Sequence, residues 1–281
     1  MIDNELVELC IKSLKNAFKV HNELGDKGFE AVQKNVHGDT SLVADINAEE
    51  AIIETFRNAG VPIKIIFEER DTVDLSSSPK FLAVLDGLDG TSVYKESKGK
   101  GRYGTMFAVF SNTNPDYADY LFCGVMEHST NHLFYAVKNK GCFLIKDNVK
   151  IHIKCSNVRK LEDASIYADE FFDGKRNTTL IHDIFISKLQ EYKFLHSNSS
   201  AVHYVDLAHG KADLVLECTR KGNLEIAVAF GLENEAGGVM VTLDGVSIAN
   251  QKYLTFAQDE YVPIISASTI ELATDLIRKI K

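Results

Sequence analysis

The stretch Val84-Leu85-Asp86-Gly87-Leu88-Asp89-Gly90-Thr91-Ser92 constrains this chain more than any other. The apolar run Phe81–Leu85, bounded by Pro79 and by glycines, predicts a short buried strand that ends at Asp86. Asp86 and Asp89 then lie three apart in a turn made supple by Gly87 and Gly90, and they can converge on one point. Two unneutralised carboxylates there repel each other unless a hard, oxygen-binding cation joins them. If Gly90-Thr91 opens a helix, its free N–H groups and the Thr91 and Ser92 hydroxyls face the same point and suit an anion. The same residues also make an ordinary Asp/Gly turn with an Asx bond and a helix cap.

Two further acidic features favour the cation reading. Ile63–Phe67 predicts a second strand, followed at once by Glu68-Glu69. Far downstream, Glu225 stands at the start of Leu224–Ala229, a small-residue apolar segment that predicts a tightly packed helix. The net charge of −9 argues against nucleic acid or an anionic membrane as partner, and it repels phosphate esters unless a metal reverses the local field. Five cysteines, odd in number and without a C-x-x-C pair, support neither a disulfide framework nor a zinc site. No apolar run approaches the roughly 20 residues of a membrane span, and Met1–Glu5 lacks a positive start, so a cytoplasmic protein is expected.

Along the chain, residues 4–24 predict an amphipathic helix stopped by Gly25, and a second helix is expected to be capped near Asn47 with Glu50 and to end at Gly60. Asp45, just before that cap, suits a helix dipole. Residues 71–80 read as a surface loop. Lys95–Tyr103 reads as a solvated loop from which Lys98 or Lys100 can approach a substrate. Five apolar runs between residues 105 and 153, separated by Asn, Gly, Pro and Asp turns, predict an antiparallel meander. His128 and His132 flank one of its turns, which places them off a common helical face. Beyond about Lys154 strands and helices alternate: strands at 165–168, 194–196 and 214–217, helices at 178–191, 201–209, 224–235 and 269–280, the last with a Ser268/Glu271 capping box. The expected organisation is an N-terminal α+β half, residues 1–153, and a C-terminal α/β half, residues 154–281.

Glu68-Glu69, Asp86–Thr91, Leu224–Ala227 and Glu235–Gly238, in that order and spacing, resemble the inositol monophosphatase family of lithium-sensitive, magnesium-dependent sugar phosphatases. The resemblance runs from about Gly38 to the C-terminal helix. It implies an α+β fold, a layered α-β-α-β-α sandwich of the sugar-phosphatase type, commonly a homodimer, that hydrolyses a phosphomonoester with metal-activated water. By resemblance Glu68, Asp86 and the Leu88 carbonyl match the positions that hold one Mg²⁺, and Asp86, Asp89 and Glu225 match those of a second, with Asp86 as the bridge. Two or three ions are implied, and Mn²⁺ can replace Mg²⁺. Two cations roughly 4 Å apart stabilise attacking and leaving oxygens together. Glu68 and Thr91, the latter supported by Asp45, match the groups that orient the nucleophile, while Gly90, Thr91 and Ser92 match the phosphate cradle.

Other positions stay open between two readings. Glu217 is either an exposed strand-end carboxylate or the family's contact to substrate hydroxyls. Ser199 and Ser200 are either caps of the following helix or substrate contacts. Arg220 and Lys221 are either solvated charge or a distal phosphate site.

Three residues depart from the family pattern: Gly87 stands for the usual proline, Glu225 for aspartate and Leu224 for tryptophan. Gly87 frees the unfolded chain, at an expected cost of ~1 kcal/mol. The favoured substrate is inositol monophosphate or a related sugar phosphate. Fructose 1,6-bisphosphate and 3′-phosphoadenosine 5′-phosphate are the alternatives within the family, and a phosphate- or metabolite-binding protein without catalysis is the alternative outside it.

Overall fold

The computed structural model describes residues 4–34, 40–68, 70–168, 177–219, 223–258 and 260–281. The order is α1 (Asn4–Leu24), β1 (Ala31–Lys34), β2 (Thr40–Leu42), α2 (Val43–Asn58), β3 (Ile63–Phe67), β4 (Val73–Asp74), β5 (Phe81–Asp89), α3 (Thr91–Ser97), β6 (Gly104–Phe110), β7 (Tyr120–Glu127), β8 (His132–Val137), β9 (Gly141–Lys146) and β10 (Val149–Ile153). Then come β11 (Ser165–Ala168), α4 (Asn177–Ile184), β12 (Lys193–Leu195), α5 (Ser200–Ala208), β13 (Leu214–Cys218), α6 (Leu224–Ala236), β14 (Val239–Thr242), β15 (Pro263–Ala267) and α7 (Ile270–Ile280).

The meander from β6 to β10 joins the earlier strands in an eight-stranded sheet, β10-β9-β8-β7-β6-β5-β3-β4, in which only β3 and β5 run parallel. The second sheet, β12-β11-β13-β15-β14, is mixed, with β11 parallel to β12 and β13. Side-chain alternation then fixes the layers. Along β5, Ala83 and Leu85 face a core shared with Leu14 of α1 and Phe56 of α2, while Leu82 and Val84 face Leu207 of α5 and Val228 of α6. On the far face of the small sheet, Leu216 and Ile265 pack with Ile181 of α4 and Leu272 and Leu276 of α7. The result is the α-β-α-β-α sandwich. Helix α6, in the middle layer, is buried on every side from Leu224 through Glu233, which is why its sequence shows no polar face.

Several boundaries differ from expectation. Helix α2 begins at Val43, so Asp45 sits in its first turn and its Oδ2 accepts from the Leu42 N–H at 2.6 Å. Glu50 caps nothing; it pairs with Arg70 at 3.1 Å. Strand β5 continues past Asp86 to Asp89. The 71–80 loop carries the two-residue β4, the expected 178–191 helix stops at Ile184, and β14 and β15 were not foreseen. Thr269, rather than Ser268, caps α7 by accepting from Leu272 N–H at 3.1 Å.

Two side-chain clusters hold the layers near the site. Arg102 reaches Glu127 of β7 at 2.5 Å and Asp206 of α5 at 2.8 and 2.9 Å, and Tyr167 of β11 donates to the same Asp206 at 3.1 Å. On α1, His21 packs at a tilt against His128 with ring centroids 4.2 Å apart, and its Nε2 lies 3.1 Å from the Tyr103 hydroxyl. Burial lowers the pKa of His21 from 6.5 to about 4, and burial plus the neighbouring His21 lowers that of His128. Both rings are thus neutral in the folded protein at neutral pH. The stability this gives is complete above about pH 6.5 and drains as pH falls towards 4, by roughly 3 kcal/mol for His21. Urea midpoints measured between pH 7.5 and pH 4.5 should fall more steeply for the native protein than for His21→Phe; parallel slopes would clear this histidine of the acid sensitivity.

Candidate active site

The site grows from an irregularity in β5. Asp86 pairs with Met106 and Asp89 with Gly104, so Gly87 and Leu88 together face the single residue Thr105. Such a bulge re-aims side chains at a strand end. Here it brings Asp86 and Asp89 round to the ends of β3, α5 and α6. The Thr105 hydroxyl donates to the stranded Gly87 carbonyl at 2.8 Å, and Leu88 N–H donates to Asp86 Oδ1 at 2.8 Å. Gly87 also lies hard against α2, since a Cβ there would stand 2.5 Å from the Asp45 carbonyl oxygen.

Asp86 is 1% exposed. Burial first, then the charges of Glu68, Asp89 and Glu225, push its pKa well above the ordinary carboxylate range, and Glu68 hydrogen-bonds it as well. All four carboxylates are buried. Glu68 follows β3, whose parallel pairing with β5 continues into the Glu68 N–H to Leu85 carbonyl bond at 3.3 Å. Glu225 lies in the first turn of α6, which Asn223 begins in the left-handed region at φ 59° while its side-chain amide donates to the Phe256 carbonyl. Asp89 is turned towards α5: its Oδ2 accepts from Ser199 Oγ at 2.5 Å and from Ala201 N–H at 2.8 Å.

Thr91 opens α3 after Gly90, which takes φ 85° and approaches Ser199 so closely that a Cβ would stand 2.9 Å from it. The Thr91 hydroxyl lies 2.9 Å from the Leu88 carbonyl and 3.4 Å from Asp45 Oδ1. Ser92 follows in the first turn, where helix N–H groups lack intrahelical acceptors.

The residues expected to act together are thus brought together: Asp45, Glu68, Asp86, Leu88, Asp89, Gly90, Thr91, Ser92 and Glu225. Ser199 is here a partner of Asp89, and Ser200 is the buried first residue of α5. Glu217 is 4% exposed, which corrects the reading of it as an exposed strand end; its charge bears on Tyr204 and Tyr117, two buried phenols. Arg220, Lys221 and Glu69 lie outside the described residues. His128 points at Thr105, 2.8 Å from Nε2 to Oγ1, and away from any metal role. Sequence reasoning missed Thr105, Asn223 and the buried Glu49, which Arg70 meets at 2.5 Å.

The donor set fits a hard cation. Among the described residues no three His, Cys, Asp or Glu side chains stand in chelating geometry as they are. A buried carboxylate whose proton affinity is raised by burial and by three buried carboxylates around it is nonetheless what a divalent ion relieves, and every donor is an oxygen.

Comparison with known proteins leads to the same place: the chain belongs to the inositol monophosphatase family, which it matches over residues 2–278. It is a phosphoric monoester hydrolase, and members of this family are generally metal-dependent. It is 26% identical over 228 residues to a fructose-1,6-bisphosphatase/inositol-1-monophosphatase of Methanothermobacter thermautotrophicus, covering 78% of this chain and 77% of that one. It is 24% identical over 270 residues to a bifunctional NADP phosphatase/NAD kinase of Methanocaldococcus jannaschii, covering 84% of this chain but 46% of that protein. The extragenic suppressor protein suhB of Bartonella henselae shares the fold, with a TM-score of 0.78 at 18% identity over 99% of this chain and 98% of that one. Among the described residues no helix is long and apolar enough to cross a membrane.

Proposed function

We propose that the protein hydrolyses inositol monophosphate or a related sugar phosphate at the Asp86 site, using two or three Mg²⁺ ions, for which Mn²⁺ can substitute. The observation that carries the reading is the buried Asp86 with Glu68, Asp89 and Glu225 around it. Glu68, Asp86, the Leu88 carbonyl, Asp89 and Glu225 hold the ions. When bound, Mg²⁺ supplies Lewis-acid charge to the phosphoryl oxygens and lowers the pKa of the attacking water.

The chain's own groups do the rest. Thr91, backed by Asp45 at 3.4 Å, and Glu68 orient the nucleophile and take its proton. The amides of Gly90 and Thr91 and the Ser92 hydroxyl hold phosphate oxygens at the start of α3. Glu217, buried beside Tyr204, bonds substrate hydroxyls, with Ser200 and Arg220 as further contacts. Residues 1–153 then supply the metal-binding bulge, and residues 154–281 close the site with Glu225 and Ser199. A cytoplasmic homodimer is the expected assembly.

Fructose 1,6-bisphosphate is the second reading, favoured by the relative from Methanothermobacter whose name carries both activities. The test is phosphate release from inositol 1-phosphate, fructose 1,6-bisphosphate, NADP and 3′-phosphoadenosine 5′-phosphate, with Mg²⁺ or EDTA, for native protein and Asp89→Asn. Mg²⁺-dependent release, lowered by at least about 100-fold in the variant, is expected. Release that EDTA leaves intact would overturn the metal mechanism. No release from any ester would favour a metabolite-binding protein.

A further inference from the structure

The bulge that carries Asp86 and Asp89 has one peptide plane held at both ends. The Gly87–Leu88 peptide offers its carbonyl to Thr105 Oγ1 and its N–H to Asp86 Oδ1, each at 2.8 Å. Gly87, Leu88 and Thr105 are all buried, so bulk solvent does not compete at either end. The orientation of this one plane therefore decides where an oxygen of Asp86 points.

The Thr105 hydroxyl has a single proton, and the Gly87 carbonyl can only accept it. His128 Nε2, 2.8 Å from the same hydroxyl oxygen, must then be the donor. That requires Nε2 to carry a proton, and Nδ1 having no hydrogen-bond partner among the described residues fits the neutral Nε2–H tautomer. The ring is clamped for this purpose, stacked on Phe18 at 5.9 Å and Tyr103 at 5.8 Å and tilted against His21 at 4.2 Å, while the backbone N–H of His128 donates to the Tyr103 carbonyl at 3.0 Å. The direction of donation is thereby set along His128, Thr105, Gly87–Leu88 and Asp86.

We infer that Thr105, oriented by His128, is a positioning residue that presets the Asp86 carboxylate for its cations through the Gly87–Leu88 peptide. The inference rests on the proposed reading of Asp86 as a metal ligand. Without the hydroxyl, the buried Gly87 carbonyl loses its Thr105 Oγ1 donor; the peptide is then less tightly held, and Leu88 N–H can leave Asp86. Partners one shell out from a metal ligand typically change affinity by 10- to 100-fold when lost.

The test is Mn²⁺ binding, read from the paramagnetic resonance of free Mn²⁺, on native protein, Thr105→Val, Thr105→Ser, His128→Phe and the distant core variant Leu276→Ala. Thr105→Val keeps the shape and removes the donor. It is expected to weaken Mn²⁺ binding about 10-fold, Thr105→Ser to restore it, and His128→Phe to fall between. Leu276→Ala should lower the unfolding midpoint while leaving Mn²⁺ affinity native, which separates positioning from loss of stability. Native affinity in Thr105→Val would overturn the inference, as would an equal loss in Thr105→Ser, which would make the methyl group responsible. If Thr105→Val does not fold, native affinity in His128→Phe overturns it equally. A native protein that binds no Mn²⁺ would instead sink the metal reading of the site, and this inference with it.

Discussion

Asp86→Asn should unfold at a higher temperature than the native protein in EDTA and lose at least about 10³-fold in phosphatase activity with Mg²⁺. Both effects come from one cause. Without cations, Asp86 is a buried carboxylate whose charged form is opposed by desolvation and by Glu68, Asp89 and Glu225. Asparagine keeps the acceptor for Leu88 N–H and removes the charge, which relieves on the order of 1–2 kcal/mol, or about 2–8 °C in the midpoint. With cations the sign reverses. A side chain that would help hold the ions is gone, and a loss of ~4 kcal/mol of transition-state stabilisation corresponds to the 10³-fold figure. Native protein should therefore gain stability from Mg²⁺ while Asp86→Asn gains little. Thermal unfolding in EDTA and in saturating Mg²⁺, beside phosphate release, checks this. A variant less stable than native in EDTA would mean that Asp86 is already well satisfied within the protein.

How far these residues could be read beforehand depended on whether their signal was local. The strand before Asp86, the Glu68 strand end and the meander were legible because alternation, turn residues and carboxylates at strand ends are written in consecutive positions. The buried helix behind Glu225 was legible from its lack of any polar face. The start of α2 was not, because Leu42 has no capping side chain and Asp45 works from inside the first turn, bonding back to the Leu42 N–H. Strands β14 and β15 are four and five residues long, and β15 starts with Pro263, so neither carries a clear strand signal. Thr105 was illegible for a different reason. A threonine in a strand is ordinary, and its role exists only because a bulge in the neighbouring strand leaves the Gly87 carbonyl opposite it. Ser199 likewise sits at a helix start, as expected of a cap, yet its hydroxyl is spent on Asp89 from the other sheet. Contacts between distant segments are invisible to local patterns.

Gly87 reverses an expectation. As a departure from the family's proline it promised a looser turn and a small cost in stability, so that Gly87→Pro or Gly87→Ala would stabilise the protein. Its surroundings say the opposite. Any Cβ at this position would stand 2.5 Å from the Asp45 carbonyl oxygen and 3.0 Å from Glu49 Cγ. The Glu49 side chain can yield, although Arg70 holds its carboxylate at 2.5 Å; the Asp45 carbonyl belongs to the first turn of α2 and cannot yield without moving the helix. Overpacking of this kind costs about 1–3 kcal/mol. The displaced turn carries Asp45, whose Oδ1 is already 3.4 Å from the Thr91 hydroxyl, so a small shift breaks that contact. Gly87→Ala should lower the unfolding midpoint by roughly 2–10 °C and kcat by at least about 10-fold, with KM for the phosphate ester little changed because the cradle at Gly90 and Ser92 stays in place. Gly87→Pro should be worse on both counts. If Gly87→Pro instead raised the midpoint, the close approach of β5 to α2 would be wrong, and the glycine would be only a loosened turn.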